Sequence, residues 1–563
     1  MDAENASQAS AGFIAPSESL VSQVAFDKLT DTVFTSQKFS RDPILTTWIG
    51  RNSRRGFKLK VAVVELAEVT RLRDQGLRFE VVRDGSSKDS SEEYSSRSDA
   101  LDLIEEAAYY RASDIHFLLR GEHADVLLTV NNDLRHFKEM KHAVAATMIR
   151  AIWNGLVTTG DNQWNDNLDQ GAQVSGEKLK ADTGVTSIRI ARGPMFPMAE
   201  GGQYMVLRLQ YANTVDARRR ADLPPLKYPR RPDGEFMLPK MGFTQKNCTK
   251  LKKIMTMPDG ILIITGPTGS GKSTTDYELR KEEARVRPYL KQIVVADPIE
   301  FPESWSTQLA VVNAVDQTAT GEQFSKKLHT SLRMAPKIIT PGEIRGAEVA
   351  LIAFEASTTG HKVTTTLHVS DAFLWPDRLE LMDQVRLRRE VFCDPKIVRG
   401  VVAQRLLSEL CPDCSRLASD HKDLVDDEML ETLATWSSDG DVSRVRIRGE
   451  HIDCPTCKGE GKIGRFGIME VVITDAQLMS DFIHLGTAVA RRNYHQRPDA
   501  DPPLLDTAIQ HVLSGRVDPF HVQEAVDIIV TKDRFHEVVS SRAPTEDPSG
   551  GRNVRRLEVV AHA

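Results

Sequence analysis

The spacing of apolar positions divides the chain unevenly. Residues 1–55 show short apolar clusters among Ser, Thr and Asp, with no sustained period. RNSRRGFKLK (51–60) is locally basic and reads as solvated surface, and VAVVEL after it reads as a strand or a buried turn of helix. Asp84–Ala100, DGSSKDSSEEYSSRSDA, is polar and Ser-rich, so a loop is expected there. Regularity begins beyond it. Leu101–Arg111 has helical spacing, IHFLL and ADVLLTV read as strands, and Met140–Leu156 reads as an amphipathic helix. TSIRIA and YMVLRLQY add two strands around GPMFPMAEGG. Together these predict an α+β domain over 100–216, after a poorly defined region 1–99.

Ala217–Gly234 mixes prolines with basic residues, which marks a linker over 217–240. Strand and helix patterns then alternate over 241–395, as in a three-layer nucleotide-binding core. The remainder, 396–563, reads as mostly helical around a cysteine-bearing insert at 411–457.

Composition narrows the classes. At 563 residues and 40% apolar, the chain is long enough for three or four globular domains. Its 73 basic and 79 acidic groups leave a net charge of −6, so a strongly basic nucleic-acid footprint is absent overall. Six cysteines are too few for a disulfide scaffold. The start, MDAENASQASAGF, lacks the basic and apolar segments of a secretion signal, and ILII is far too short to span a bilayer. A cytoplasmic protein that meets membranes through partners is expected.

Gly266–Ser273, GPTGSGKS, fits G-x-x-x-x-G-K-[ST] in full, between the apolar run ILIIT and the polar, helix-like TTDYELRKEEA. Strand, glycine loop and helix are the setting a phosphate loop requires. The candidate nucleotide-binding residues are Gly266, Pro267, Thr268, Gly269, Ser270, Gly271, Lys272, Ser273 and Thr274. Glycines let successive backbone N–H groups turn inward on an anion, and the helix N-terminus faces it too. Lys272 is expected at the β and γ phosphates of ATP, and the Ser273 hydroxyl on Mg²⁺. Downstream strands end in carboxylates: Asp297 and Glu300 after IVVA, and Glu343 after KIITPG. His361 and His368 flank the run KVTTTL, where ordinary strand-lining residues compete with a γ-phosphate sensor as the explanation.

These motifs resemble, over roughly 100–540, the secretion-ATPase superfamily of type II secretion ATPases and type IV pilus motors, including type IVb and conjugative thin-pilus branches. ASDIHF (112–117), LPKMGF, ADPIEF, GEIR and TGHKVTTTLHVSDA stand in that family's order around its phosphate loop. The resemblance implies a RecA-like ATPase core behind a PAS-like nucleotide-clamping domain. It makes Glu343 the Walker B carboxylate, Glu300 the water-orienting one, and His368 and His361 a histidine box. It also implies that Arg189 and Arg208 neutralise phosphate charge. Three departures stand out. Ala296 replaces the first glutamate of the usual EDPxE, Ala335-Pro336-Lys337 replaces Asp-Pro-Asp, and Gly346 replaces the aspartate after GEIR.

CPDC (Cys411, Cys414) and CPTC (Cys454, Cys457) place two thiol pairs on tight turns. Two such turns complete a closed four-sulfur Zn²⁺ shell, which is structural, whereas no thioredoxin-like setting supports a redox role. Assembly-type members of the superfamily carry similar elements, and here they read QRLLSELCPDC and CPTCKGEGKIGRFGIME. The resemblance thus implies a homohexameric ATPase that drives pilin or pseudopilin polymerisation through an inner-membrane platform protein. A nucleic-acid translocating motor and a non-hydrolysing ATP-bound scaffold are the rival readings.

Overall fold

The computed structural model describes residues 20–535, apart from 21–22, 28–29, 38, 41, 55–56, 75–76, 78–87, 161–162, 213–219, 312–316 and 450. The opening MDAENASQASAGF, residues 84–87 of the Ser-rich stretch and residues 217–219 of the linker lie outside the described residues. The chain divides into two compact units, Met1–Ser95 and Ser96–Ala563.

In the first unit, β1 (Val24–Asp27), β2 (Thr32–Ser36) and β3 (Lys60–Val64) form a sheet in that order. Helix α1 (Pro43–Arg54) contributes Leu45 and Trp48, one turn apart, to a small core with Val24, Phe26 and Val33; α2 (Leu66–Asp74) follows β3. VAVVEL therefore starts as a strand. It lies at a sheet edge, where Val61 and Val63 stay 43% and 47% exposed.

Helix α3 (Lys88–Tyr109) follows, and from Ser96 onward it belongs to the second unit. The expected Ser-rich loop is thus helical from Lys88 onward. Leu103, Ile104 and Ala107 anchor the helix in an apolar core, and adding turns to an existing helix is easier than nucleating one. Next come β4 (Asp114–Arg120), β5 (His123–Val130), β6 (Asp133–Lys141), α4 (His142–Leu156), β7 (Thr159–Gly160), β8 (Gln170–Ser175), β9 (Val185–Pro194) and β10 (Gln203–Tyr211). The strands form one antiparallel sheet in the order β6-β5-β4-β10-β9-β8-β7. On β4, Ile115, Phe117 and Leu119 pack with α3 and α4, while Leu118 on the other face joins the core cluster of the following domain. Both faces are covered, which is why IHFLL is buried throughout and apolar except at His116.

That following domain holds α5 (Gln245–Thr256), β11 (Gly260–Thr265), α6 (Lys272–Val286), β12 (Gln292–Ala296), β13 (Ser306–Ala310), α7 (Gln317–Leu332), β14 (Ile338–Pro341), α8 (Ala347–Thr358) and β15 (Lys362–Leu367). Its sheet runs β13-β12-β14-β15-β11-β16-β19, where β16 is Val398–Leu410 and β19 is Lys462–Ile473. All neighbours are parallel except β16 and β19. Leu262 and Ile264 of β11 face α5 and α6, and Ile261 and Ile263 face the cluster containing α7 and α8 residues. This is the three-layer α/β core expected from the strand–helix alternation.

Here the reading of 396–563 as mostly helical is corrected. Two of the seven core strands come from that region, so the core continues past 395. Polar Gln404 and Arg405 disguise β16 in the sequence, yet both are buried against partners. Helices at Ala476–His484, Thr487–His495, Leu504–Leu513 and Pro519–Ala525 complete the described tail. Among the described residues, no helix is long and apolar enough to cross a membrane.

Candidate functional site

The phosphate loop joins β11 to α6 at the carboxyl edge of the parallel strands. Gly269 and Gly271 adopt φ of 78° and 85°, left-handed values that favour glycine. Gly271 also has a steric duty, since a Cβ there would sit 2.9 Å from the Gln404 amide. That amide holds the loop from β16: Gln404 Nε2 donates to the Ser270 carbonyl at 2.8 Å, and Gln404 Oε1 accepts from Thr275 Oγ1 at 2.8 Å. Lys272 Nζ donates to the carbonyls of Gly266 and Pro267, both at 2.9 Å. Burial lowers the Lys272 pKa, against the pull of Glu343 and Glu300. Ser273 is exposed at the helix start.

One cleft of about 490 Å³ collects Thr268–Thr274, Ala296, Asp297, Glu300, Glu343, Arg345 and His368. The parallel sheet explains the convergence: β12, β14 and β15 all end where the loop begins. Glu343 is the hub. Its Oε1 lies 3.3 Å from His368 Nε2, and its Oε2 accepts from Arg345 Nε at 2.9 Å. Arg345 also approaches Asp297, at 3.3 Å to the carbonyl and 3.7 Å to the carboxylate. Burial, then the nearby Lys272 charge, lowers the His368 pKa, so at neutral pH Glu343 meets a neutral imidazole. In the same cleft, Arg280 pairs with Asp276 at 2.9 Å and with Glu303. Burial works against the Arg280 charge, but the two carboxylates outweigh it and raise its pKa.

Three sequence candidates lie elsewhere. His361 precedes β15 at its far end, hydrogen-bonded to the Ala356 carbonyl at 3.0 Å. The six residues of the strand separate it from His368 by roughly 20 Å at a strand's rise. Arg189 and Arg208 face each other on β9 and β10, and neither lines the cleft. Arg208 Nε instead donates to Asp114 at 2.8 Å. In this arrangement the N-terminal sheet docks on the core by its own face, through Arg120 on the Ser304 and Ser306 carbonyls at 2.6 Å and Lys291 on His116 at 2.6 Å. Residues missed by motif reading include Gln404, Arg280 and Asp276. Gln404 and Arg280 find partners far away in sequence, at Thr275 and Glu303, although the charge density of TTDYELRKEEA was a visible signal.

The second site is the cysteine cluster. The sulfurs of Cys411 and Cys454 are 3.7 Å apart, those of Cys414 and Cys457 are 3.5 Å apart, and all four lie within 4.8 Å. A tetrahedral Zn²⁺ with ~2.3 Å bonds places sulfurs roughly 3.8 Å apart, so the donor set fits. Gly461 N–H donates to Cys457 Sγ at 3.2 Å, and Cys411 N–H donates to the Gly461 carbonyl at 3.0 Å. The cluster thereby closes the end of the β16–β19 hairpin.

A three-layer parallel α/β core with a glycine loop between its central strand and a helix, faced by strand-end carboxylates, defines a phosphate-loop nucleotide-binding protein. The chain belongs to the type II/IV secretion system protein family, whose model matches residues 226–538. It is similar to the type II secretion system ATPase E of Vibrio cholerae, with 34% identity over 282 residues, or 49% of this chain and 50% of that one. The type IV pilus assembly ATPase PilB of Thermus thermophilus is 28% identical over 380 residues, or 67% of this chain and 37% of its own. The match thus spans about half of the first relative's length and less of the second's. Among solved structures, the pilus retraction motor PilT with bound ADP covers 75% of this chain and 96% of its own, at 19% identity and a TM-score of 0.36.

Proposed function

We propose that the chain is the ATP-hydrolysing motor of a type II secretion or type IV pilus-assembly system. ATP hydrolysis follows from membership of a family of secretion and pilus ATPases. The observation that carries the reading is one cleft in which the phosphate loop faces the Glu343–His368 pair. Loop N–H groups and Lys272 would bind the phosphates, and Ser273 Oγ would hold Mg²⁺, which offsets phosphate charge. Glu343 and Glu300 would orient the attacking water, while His368, 3.3 Å from Glu343, would help to keep its carboxylate oriented. Arg345 would exchange Glu343 for phosphate oxygens.

The finer elements are a homohexameric ring, a structural Zn²⁺ on the four cysteines, and an inner-membrane platform protein through which pilin or pseudopilin subunits are polymerised. The cysteine insert favours assembly or secretion over retraction. Delivery of Arg189 and Arg208 to phosphate by a PAS-like clamp would require rotation about 217–240, which breaks the Lys291–His116 and Arg120 contacts.

The test uses purified full-length protein. Magnesium-dependent phosphate release, a six-subunit mass and one zinc per chain are expected, with co-purification of an inner-membrane platform protein on co-expression. Stoichiometric ATP binding without turnover would replace the motor by a scaffold, the reading that the departures at Ala296 and Gly346 favour. Turnover that depends on added DNA or RNA would replace it by a nucleic-acid motor.

A further inference from the structure

Helix α6 is charged yet buried: Asp276, Glu278, Arg280 and Glu283 are each under a tenth exposed. Asp276 differs from a simple ion-pair partner. It is 5% exposed, and its Oδ2 accepts from Arg280 Nε at 2.9 Å. Its Oδ1 is buried with no hydrogen-bond partner. A buried anionic oxygen left unsatisfied is costly unless something meets it. Asp276 lines the phosphate-loop cleft, and its i, i+3 spacing from Ser273 puts both on one face of α6. Ala296, at the end of β12, lines the same cleft. The cleft therefore has no carboxylate at 296 and has one on α6.

We propose that Asp276 supplies the carboxylate that Ala296 lacks, its Oδ1 accepting a hydrogen bond from water carried by the Mg²⁺ of the bound nucleotide. This rests on the reading of the cleft as a nucleotide site. Arg280 makes the arrangement workable. Shared between Asp276 and Glu303, it fixes Oδ2 and leaves Oδ1 as the free acceptor. Glu303 is held in turn by Ser306 Oγ at 2.6 Å. Of the cleft's other carboxylates, Glu343 meets His368 and Arg345 on separate oxygens, and Asp297 faces Arg345.

The experiment separates nucleotide from metal. ADP binding to the full-length protein is measured in EDTA, and Mn²⁺ is then titrated into the ADP complex and followed by electron paramagnetic resonance. In Asp276→Asn, ADP affinity without metal stays within about twofold of wild type, while Mn²⁺ affinity falls ~10-fold, the usual scale for losing an outer-shell partner. Asp276→Asn with Ala296→Glu recovers most of that loss. Asp276→Asn with Arg280→Gln, which removes both charges together, leaves Mn²⁺ binding weak. It also serves if the single variant folds poorly. Unchanged Mn²⁺ affinity in Asp276→Asn overturns the proposal. So does recovery of wild-type Mn²⁺ affinity in the Arg280→Gln double variant, because Asp276 would then only balance its neighbour. Failure of the wild type to bind ADP in EDTA would instead remove the nucleotide reading, and the proposal with it.

Discussion

The cysteine cluster and the phosphate-loop cleft offer ligands on opposite plans. Three of the four cysteines are buried, and their sulfurs already converge, held by backbone bonds within the hairpin end. The cleft's carboxylates at the strand ends, Asp297 and Glu343, are partly open and provisionally engaged. Glu343 is 25% exposed and shared between His368 and Arg345, and Arg345 itself is 58% exposed. A complete ligand shell acts as part of the fold, because any exchange would undo it. A turnover site has to accept and release its ligand, so its side chains hold contacts that are easily traded.

The strongest test of that contrast removes the groups that do chemistry. Lys272→Ala should lower kcat for phosphate release by a factor on the order of 10² or more, as expected when a preorganised cationic contact is lost. Its metal content and thermal midpoint should match wild type. A large fall in stability would make Lys272, which bonds two loop carbonyls, part of the fold as well.

Cys411→Ser attacks the other side of the contrast. Metal affinity should drop at least ~100-fold, and hydrogen exchange across 411–461 should rise. Gln404 lies within β16, away from the cluster, so ADP binding should survive. Equal loss of ADP binding would show the two sites to be one cooperative unit.

A third, smaller effect concerns the docking of the N-terminal sheet. Lys291 is buried, and burial, with Arg208 and Arg120 adding to it against Asp114, pushes its pKa down to about 7. The neutral His116 accepts from it at Nδ1 and, as the Nε2–H tautomer, donates to Thr129 Oγ1 at 2.8 Å. The unfolded chain, with a lysine value of 10.5, binds more protons than the folded one above about pH 7. Stability should therefore rise between about pH 7 and 10.5, by up to about 1.4 kcal/mol per pH unit from this group, and the full penalty remains below 7. Urea unfolding midpoints from pH 7 to 9.5 should climb less steeply in Lys291→Met. A parallel climb would place the proton release elsewhere.

What the sequence disclosed follows the range of the interactions. The phosphate loop is local, so Gly266–Ser273 could be read without a fold, and CxxC turns likewise carry their chemistry within four residues. The parallel core was legible because β11 is buried on both faces and therefore apolar throughout. Strand β6, DLRHFKEMK, was not, since a half-exposed edge strand tolerates charge. Gln404 was hidden for another reason: its role is set by Thr275, 129 residues away. His361 and His368 look alike in the sequence, yet one strand's length puts them at opposite sheet ends.

The smallest expected effect separates fold from function at a single position. Gly346 is the N-cap of α8, with extended backbone (φ −158°) that any residue adopts and no side-chain cap. A Cβ there meets nothing within 4 Å. An aspartate would accept from the first-turn N–H groups and suit the helix's positive end, for a gain of a few tenths of a kcal/mol up to about 1. Gly346→Asp should thus raise the thermal midpoint by a degree or two. Arg345 is the adjacent residue, exposed and already shared between Glu343 and Asp297. A new carboxylate beside it would compete for its guanidinium, so a change in kcat alongside the stability gain would locate the aspartate's family role in the cleft. A stability gain with unchanged kcat would confine that role to capping, and show that this chain's departure at 346 leaves turnover untouched.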